Sequence, residues 1–302
     1  MSVSPAPPLL STRQRWLLAV RPRTLTAGVM PVLIGSALAF ADHRFHPLLA
    51  AAALLCATLI QIATNFINEI YDHRRGADTG ARLGPTRTVA AGLIAERVMV
   101  RASAGLLLVA CLLGGYLALR GGWPILLVGL LSVFFAWGYT GGPFPLAYRG
   151  LGDIFVLIFF GFVATVGTYY VQALQVPPPA FWVSLTPGAL ACNILAVNNV
   201  RDMATDRAAG KITLAVRLGE RRAKALYTTL MALSFLPVPA LLASRHSLWL
   251  LLPALAVPAS VRVTRALWQS SGKALNPVLG GTARQLSLQG GLTALALVLS
   301  TL

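Results

Sequence analysis

The chain has 302 residues, of which 56% are hydrophobic and only 11% charged. A soluble domain carries about 25% charged residues, so this composition excludes a water-faced globule and points to one membrane-embedded domain over residues 1–302. The 25 Lys and Arg against 9 Asp and Glu, net +16, would suggest nucleic-acid binding in a soluble chain. Here the basic residues fall in short gaps between long apolar runs, so the charge reads as membrane topology and no nucleic-acid partner is expected.

A bilayer core of about 30 Å takes roughly 20 apolar residues per helix. After an arm of residues 1–23, nine segments in chain order meet that need: Thr24–Ala41, Pro47–Tyr71, Val98–Leu119, Trp123–Tyr139, Leu151–Leu174, Ala180–Asp202, Ala223–Ala243, Leu248–Ala266 and Ala283–Leu302. The expected fold class is therefore all-α integral membrane, with nine transmembrane helices. The runs do not alternate and are too long for the strands of a barrel. Ala37-Leu38-Ala39 resembles a signal-cleavage site. The leader before it is long and eight further runs follow, so a retained span is expected. Pro237, Pro239, Pro253 and Pro258 fall inside spans, where packed neighbours can satisfy the freed backbone groups. Cys56, Cys111 and Cys192 each sit in an apolar run without a C-x-x-C pair, and read as small hydrophobes.

Placing the arm in the cytoplasm puts 22 of the 25 basic residues on the inner side and leaves Arg44, Arg120 and Arg245 outside. That asymmetry predicts a cytoplasmic N-terminus and an external C-terminus. Five of the nine acids then form two clusters at the cytoplasmic ends of the second and sixth spans. In the first, Asn65, Asn68, Glu69 and Asp72 follow i, i+3, i+4, i+7 and share one helix face, with Asp78 just beyond. In the second, Asn198, Asn199, Asp202 and Asp206 again fall on one face. Gly76 and Gly210 follow the two stripes and suit helix ends.

Polar residues at a helix end can simply face water. That accounts for one cluster better than for two, and poorly for asparagines that continue into an apolar span. Hard oxygen donors in two opposed clusters suit Mg²⁺ with phosphate oxygens, and Arg74, Arg75, Arg82, Arg87, Arg207 and Lys211 stand close in sequence to meet a diphosphate. No phosphate-binding glycine loop, dinucleotide fingerprint, zinc-spaced His pair or serine triad is present.

These residues resemble the UbiA superfamily of intramembrane aromatic prenyltransferases, nine-helix proteins with Asp-rich motifs on helices two and six. The resemblance rests on VRPRTLTAGVMPVLIGSALA (20–39), TNFINEIYDHRRGADT (64–79), RLGPTRTVAAGLI (82–94), YTGGPFPLAYRGLGD (139–153) and NNVRDMATDRAAGKITLAVRLG (198–219), and is strongest to the menaquinone branch. It implies Mg²⁺ held by Asn68, Glu69, Asp72, Asp78, Asn199, Asp202 and Asp206, and a diphosphate met by Arg87 and Lys211. Glu69 and Asp153 stand where the family usually has Asp and Glu. The implied reaction moves a polyprenyl group from its diphosphate to 1,4-dihydroxy-2-naphthoate with decarboxylation, in a bacterial cytoplasmic membrane. Tyr71, Phe134, Phe135, Tyr139 and Tyr148 could screen the allylic cation. Arg149, the lone basic residue between the fourth and fifth spans, is a candidate for the acceptor carboxylate or a plain topogenic charge. Two other classes fit less well. An ion-coupled transporter would carry its acids near the midplane, and an inactive scaffold would not need two matched stripes. Chain length of the prenyl group and oligomeric state are not written in these features.

Overall fold

The computed structural model describes residues 10–78 and 83–302; the expected cation Arg82 and residues 1–9 of the arm lie outside the described residues. The arm forms a short helix, α1 (Thr12–Val20), started by a capping box in which Ser11 and Gln14 exchange hydrogen bonds. Arg21 then takes a left-handed conformation, and Pro22 opens α2 at the position where its missing N–H costs nothing.

The remaining rods are α2 (Pro22–Ala41), α3 (Pro47–Arg74), α4 (Glu96–Gly121), α5 (Trp123–Gly138), α6 (Gly152–Ala173), α7 (Pro178–Arg201), α8 (Glu220–Arg245), α9 (Leu248–Gln269) and α10 (Leu275–Leu299). Each expected span thus has a helical counterpart among the described residues. Length and composition alone qualify seven of them to cross a membrane. The other two are α5, only 16 residues long, and α10, whose 25 residues are diluted with polar side chains.

α10 also corrects the expected boundary, because it begins at Leu275 and not at Ala283. Two of its buried polar residues are satisfied by partners far away in sequence. Thr282 shares a hydrogen bond with the Tyr227 hydroxyl, and Gln289 Nε2 donates to the Ser234 carbonyl at 2.9 Å. Ser234 is where α8 breaks ahead of Pro237, so its carbonyl lacks a helical partner; Thr186 Oγ1 donates to the same oxygen at 2.8 Å.

α10 packs against α2, α7 and α9, and α3 packs against α4. Leu190, Val197, Leu275 and Leu286 form one buried cluster and Ile34, Leu38, Tyr169 and Leu297 another. The outer surface keeps Leu108, Leu112, Leu119, Leu130 and Leu255 exposed, which suits contact with lipid. Within α6 the Leu157–Val163 stretch is π-helical. There Gly161 lies against Gly188 of α7 so closely that a Cβ on either would fall about 3 Å from the other's Cα, and the two backbones touch because neither residue has one.

Candidate active site

The last turns of α3 and α7 carry the two polar stripes to the same mouth of one cavity of about 700 Å³. Asn68 and Asp72 come from α3. Asn199 comes from the end of α7, while Asp202 caps that helix and Asp206 sits in the short turn Met203–Ala208. The second stripe was expected on one unbroken helix; the break at Asp202 keeps its members on one wall all the same. Both carboxylate groups lie at helix ends and not at mid-span, which is the placement that separates this chain from an ion-coupled carrier.

Asp72 is the centre of the arrangement. Its Oδ1 accepts from the Tyr148 hydroxyl at 2.8 Å, and its Oδ2 faces Arg87 at 3.5 Å and Lys211 at 3.8 Å. Lys211 also stands 3.9 Å from Asp206, so one ammonium joins the two clusters. Arg87 further pairs with Asp78 at 3.3 Å. Burial and then the Asp72 charge push the Tyr148 hydroxyl far above the ordinary phenol range, so it stays a donor. Asn68 accepts from Thr140 at 2.9 Å and also lines the cavity. Asp153, buried at the start of α6, lines it as well.

Three expected roles are revised by placement. Glu69 is buried and does not line the cavity; its carboxylate accepts from Arg21, from the Thr88 amide and hydroxyl, and from the Val89 amide. It therefore fastens the loop bearing Arg87 to α3. Asn65 donates to the Val20 carbonyl and to Thr24 Oγ1, which ties α1 and α2 to α3. Arg149 is exposed, lies 3.8 Å over the Phe144 ring and is absent from the cavity wall, a position that does not fit the acceptor role considered for it.

Of the cations singled out by sequence and described in the structure, Arg87 and Lys211 reach the acids. Arg74 pairs with Glu96, Arg75 donates to the Gly142 carbonyl, and Arg207 is exposed. Two cations went unnoticed in the sequence. Arg21 meets Glu69 at 3.1 Å across 48 positions, which no local spacing announces. Arg201, next to Asp202, binds it through Nε at 2.9 Å and through a terminal nitrogen at 2.6 Å, and also donates to Asn276. Asn276 in turn donates to the Leu83 carbonyl, so the loop is stitched to α7 and α10 too.

Below the acids the cavity becomes apolar. Phe135 packs tilted against Phe155 and edge-on against Phe159, and the latter two stack with their rings 9° from parallel. The π-helical stretch begins between these last two residues and reorients the α6 face that presents them. The cavity continues past Ala53, Leu117 and Val171 toward the far ends of α3, α4 and α6. Asp72 and Ala53 are 19 residues apart on one helix, or about 28 Å at 1.5 Å per residue.

Among the described residues no three carboxylate, histidine or thiol groups stand close enough to clasp a metal on their own. The donors present are nevertheless hard oxygens from two helix ends on a shared wall, held apart by cations at 3.5 to 3.9 Å, and they fit Mg²⁺ completed by phosphate oxygens and water.

A multi-span helical protein with paired acid stripes, interleaved cations and a deep apolar chamber is built to handle a molecule with a charged head and a long hydrocarbon tail. The chain belongs to the UbiA prenyltransferase family, which matches residues 28–298. It is 36% identical over 299 residues to the 1,4-dihydroxy-2-naphthoate octaprenyltransferase of Escherichia coli (strain K12), covering 96% of this chain and 97% of that one. Its fold resembles a UbiA homolog from Aeropyrum pernix K1, with TM-score 0.69 at 16% identity over 88% of this chain and 96% of that one. A UbiA homolog from Archaeoglobus fulgidus bound to DMAPP and Mg²⁺ gives TM-score 0.64 at 17% identity over 94% and 99% of the two chains.

Proposed function

We propose that the chain transfers a polyprenyl group from an allylic polyprenyl diphosphate to 1,4-dihydroxy-2-naphthoate with loss of CO₂, as a step of menaquinone biosynthesis. The observation that carries this reading is the junction at Lys211, where carboxylates of two helix ends and the cations between them meet at the mouth of an apolar chamber. The name of the Escherichia coli relative supports the acceptor. The 22-to-3 split of basic residues supports a cytoplasmic site in a bacterial inner membrane.

Asp72, Asp202 and Asp206, with Asn68 and Asn199, would hold Mg²⁺, the ion bound by the Archaeoglobus fulgidus homolog. Bound there, it would neutralise the diphosphate as a Lewis acid. Arg87 and Lys211, both largely buried, supply fixed positive charge where the leaving group gains negative charge. The allylic C–O bond breaks and its electrons leave with the diphosphate. Phe135, Phe155 and Phe159 line the cavity below the acids, where their π-systems would screen the resulting cation. The carboxyl-bearing ring carbon attacks, a C–C bond forms, and the electrons of the C–CO₂⁻ bond restore the aromatic ring as CO₂ departs. The test is purified protein with a polyprenyl diphosphate and ring-carboxyl-labelled naphthoate. Labelled CO₂ and prenylated naphthol should appear in equal amounts. Transfer to 4-hydroxybenzoate without reaction on the naphthoate overturns the acceptor, and no transfer to either overturns the reaction.

A further inference from the structure

Eight of the nine acidic residues form ion pairs, five of them in the cluster around Asp72. Asp153 is the exception among the described residues. It is only 8% exposed and lines the cavity, yet no Lys, Arg or His pairs with its carboxylate, and the donor that faces it is its own backbone amide. Burying a charge without a partner is costly. An acid in the first turn of a helix gains a little from the helix dipole, and Asp153 is the second residue of α6. That gain is available at a solvated helix end as well and does not call for a buried cavity wall. The placement points to a group that enters the cavity.

Its depth is fixed by α7. Cys192 Sγ donates to the Asp153 carbonyl at 3.1 Å, and Cys192 lies seven residues before Asn199 on the same helix face. At 1.5 Å per residue that contact is about 10 Å deeper in the bundle than Asn199. On α6, Asp153 comes two residues before Phe155, which lines the cavity below the acids. The charges of Asp153, Asp72 and Asp206 all bear on the Tyr139 hydroxyl, so the lone acid and the cluster share one neighbour. Asp153 therefore stands at the level where the charged mouth gives way to the aromatic part of the chamber. An acceptor ring reaching the first carbon of the prenyl group has to lie there.

We propose that Asp153 is the base that takes the proton of the acceptor hydroxyl beside the carboxyl-bearing ring carbon. The proposal rests on the prenyl-transfer reading and adds to it the residue that activates the ring. The O–H bond breaks and its proton moves to the Asp153 carboxylate. The O–H electrons form C=O while the ring double bond gives its pair to the allylic carbon, making the new C–C bond. The ring is then a ketone with a carboxylate on the adjacent carbon, an arrangement that loses CO₂ readily. The electrons of the C–CO₂⁻ bond return to the ring, and the carbonyl oxygen takes the proton back from Asp153. The proton is borrowed and returned, so no co-reactant is consumed. A carboxylate already bound to a cation is a weaker base, and Asp153 has no such cation.

The experiment measures anaerobic transfer from octaprenyl diphosphate to 1,4-dihydroxy-2-naphthoate between about pH 7 and 9 in wild type, Asp153→Asn and Asp153→Glu. Asp153→Asn should lower kcat about 10²-fold or more, the scale of one general base, with the KM for the diphosphate unchanged. Its residual rate should climb with pH, by up to about tenfold per unit, because the hydroxyl must now ionise unaided. Wild type and Asp153→Glu, which keeps the base, should give flat profiles. An unchanged kcat, a loss that does not vary with pH, a raised diphosphate KM in place of a lowered kcat, or a sloping profile in Asp153→Glu overturns the assignment. Asp153→Asn also removes an unpartnered buried charge, so its Tm in detergent should equal or exceed that of the wild type. A lower Tm, or failure to fold, would assign the carboxylate to holding the start of α6 and would equally overturn the proposal. Wild-type protein inactive on the naphthoate would instead overturn the prenyl-transfer reading itself.

Discussion

The Tyr148 hydroxyl donates to Asp72 Oδ1 at 2.8 Å and so leaves Oδ2 as the oxygen that faces Arg87 and Lys211. One hydrogen bond thereby fixes which edge of a carboxylate looks into the cavity. A hydrogen bond to a charged group contributes about 1.5–3 kcal/mol, and each 1.36 kcal/mol is tenfold in rate. Tyr148→Phe is expected to lower kcat/KM roughly 10- to 160-fold with the fold intact. Because burial and Asp72 raise the Tyr148 pKa, the folded protein holds this proton more tightly than the unfolded chain. The phenol proton therefore stays in place below the ordinary phenol pKa of about 10, and the stability it contributes is lost only as pH rises beyond that toward the raised folded-state value. Wild type and Tyr148→Phe should share one pH–rate profile below that value; a limb present only in the wild type would contradict this.

Asp72→Asn and Asp202→Asn each remove one negative oxygen from the donor set. Each should cost at least ~10²-fold in transfer rate, the scale of one preorganised electrostatic group. Chelation with EDTA should abolish transfer and added Mg²⁺ should restore it. Near-wild-type turnover in both variants would remove these carboxylates from the reaction.

Glu69 is predicted to act through the loop it fastens. Breaking a buried charge pair costs about 3–5 kcal/mol, and the partial exposure of Arg21 reduces that to about 2 kcal/mol here. Glu69→Gln should then accelerate amide exchange across residues 84–94 by roughly 30-fold and raise the KM for the diphosphate more than it lowers kcat. Unchanged exchange in that segment would show that the loop is held by Arg87 and Asn276 alone.

Gln289→Leu makes α10 more apolar, yet it should destabilise the protein. The Ser234 carbonyl, freed by the break in α8, would keep only Thr186 as a donor. An unsatisfied buried group costs about 1–3 kcal/mol, which thermal unfolding in detergent would register as a lower Tm. A Tm equal to or above wild type would mean that the break is satisfied in another way.

Topology is open to direct labelling. In a background without Cys56, Cys111 and Cys192, Arg120→Cys should react with an impermeant thiol reagent from outside and Lys273→Cys only after permeabilisation. External labelling at 273 would reverse the orientation read from the charge split.

How far the sequence reached depends on the range of the interaction. The stripe on α3 was legible because helical periodicity places Asn68 and Asp72 on one face whatever surrounds them. The end of α7 was legible only in part, since local spacing does not reveal that Asp202 leaves the helix to pair with Arg201. The Arg21–Glu69 pair and the Asn276–Leu83 tie bridge 48 and 193 positions and have no local signature. The start of α10 was missed for a related reason. Hydropathy counts Thr282, Gln285 and Gln289 as polar, although the fold buries each of them with a partner.

Among the described residues, Glu69, Asp72, Asp78, Asp202 and Asp206 are matched with Arg21, Arg87, Arg201 and Lys211, five negative charges against four positive. Such a cluster is close to neutral before any ligand arrives, which lets two acidic helix ends lie side by side in a membrane protein without mutual repulsion. It also means that the cations are already spoken for. A diphosphate arriving alone would leave the cluster with several uncompensated negative charges among buried side chains, whereas one arriving with divalent cations would restore the balance. Donor affinity and metal concentration are thereby tied together by electroneutrality, and the cluster discriminates against bare anions without a dedicated gate.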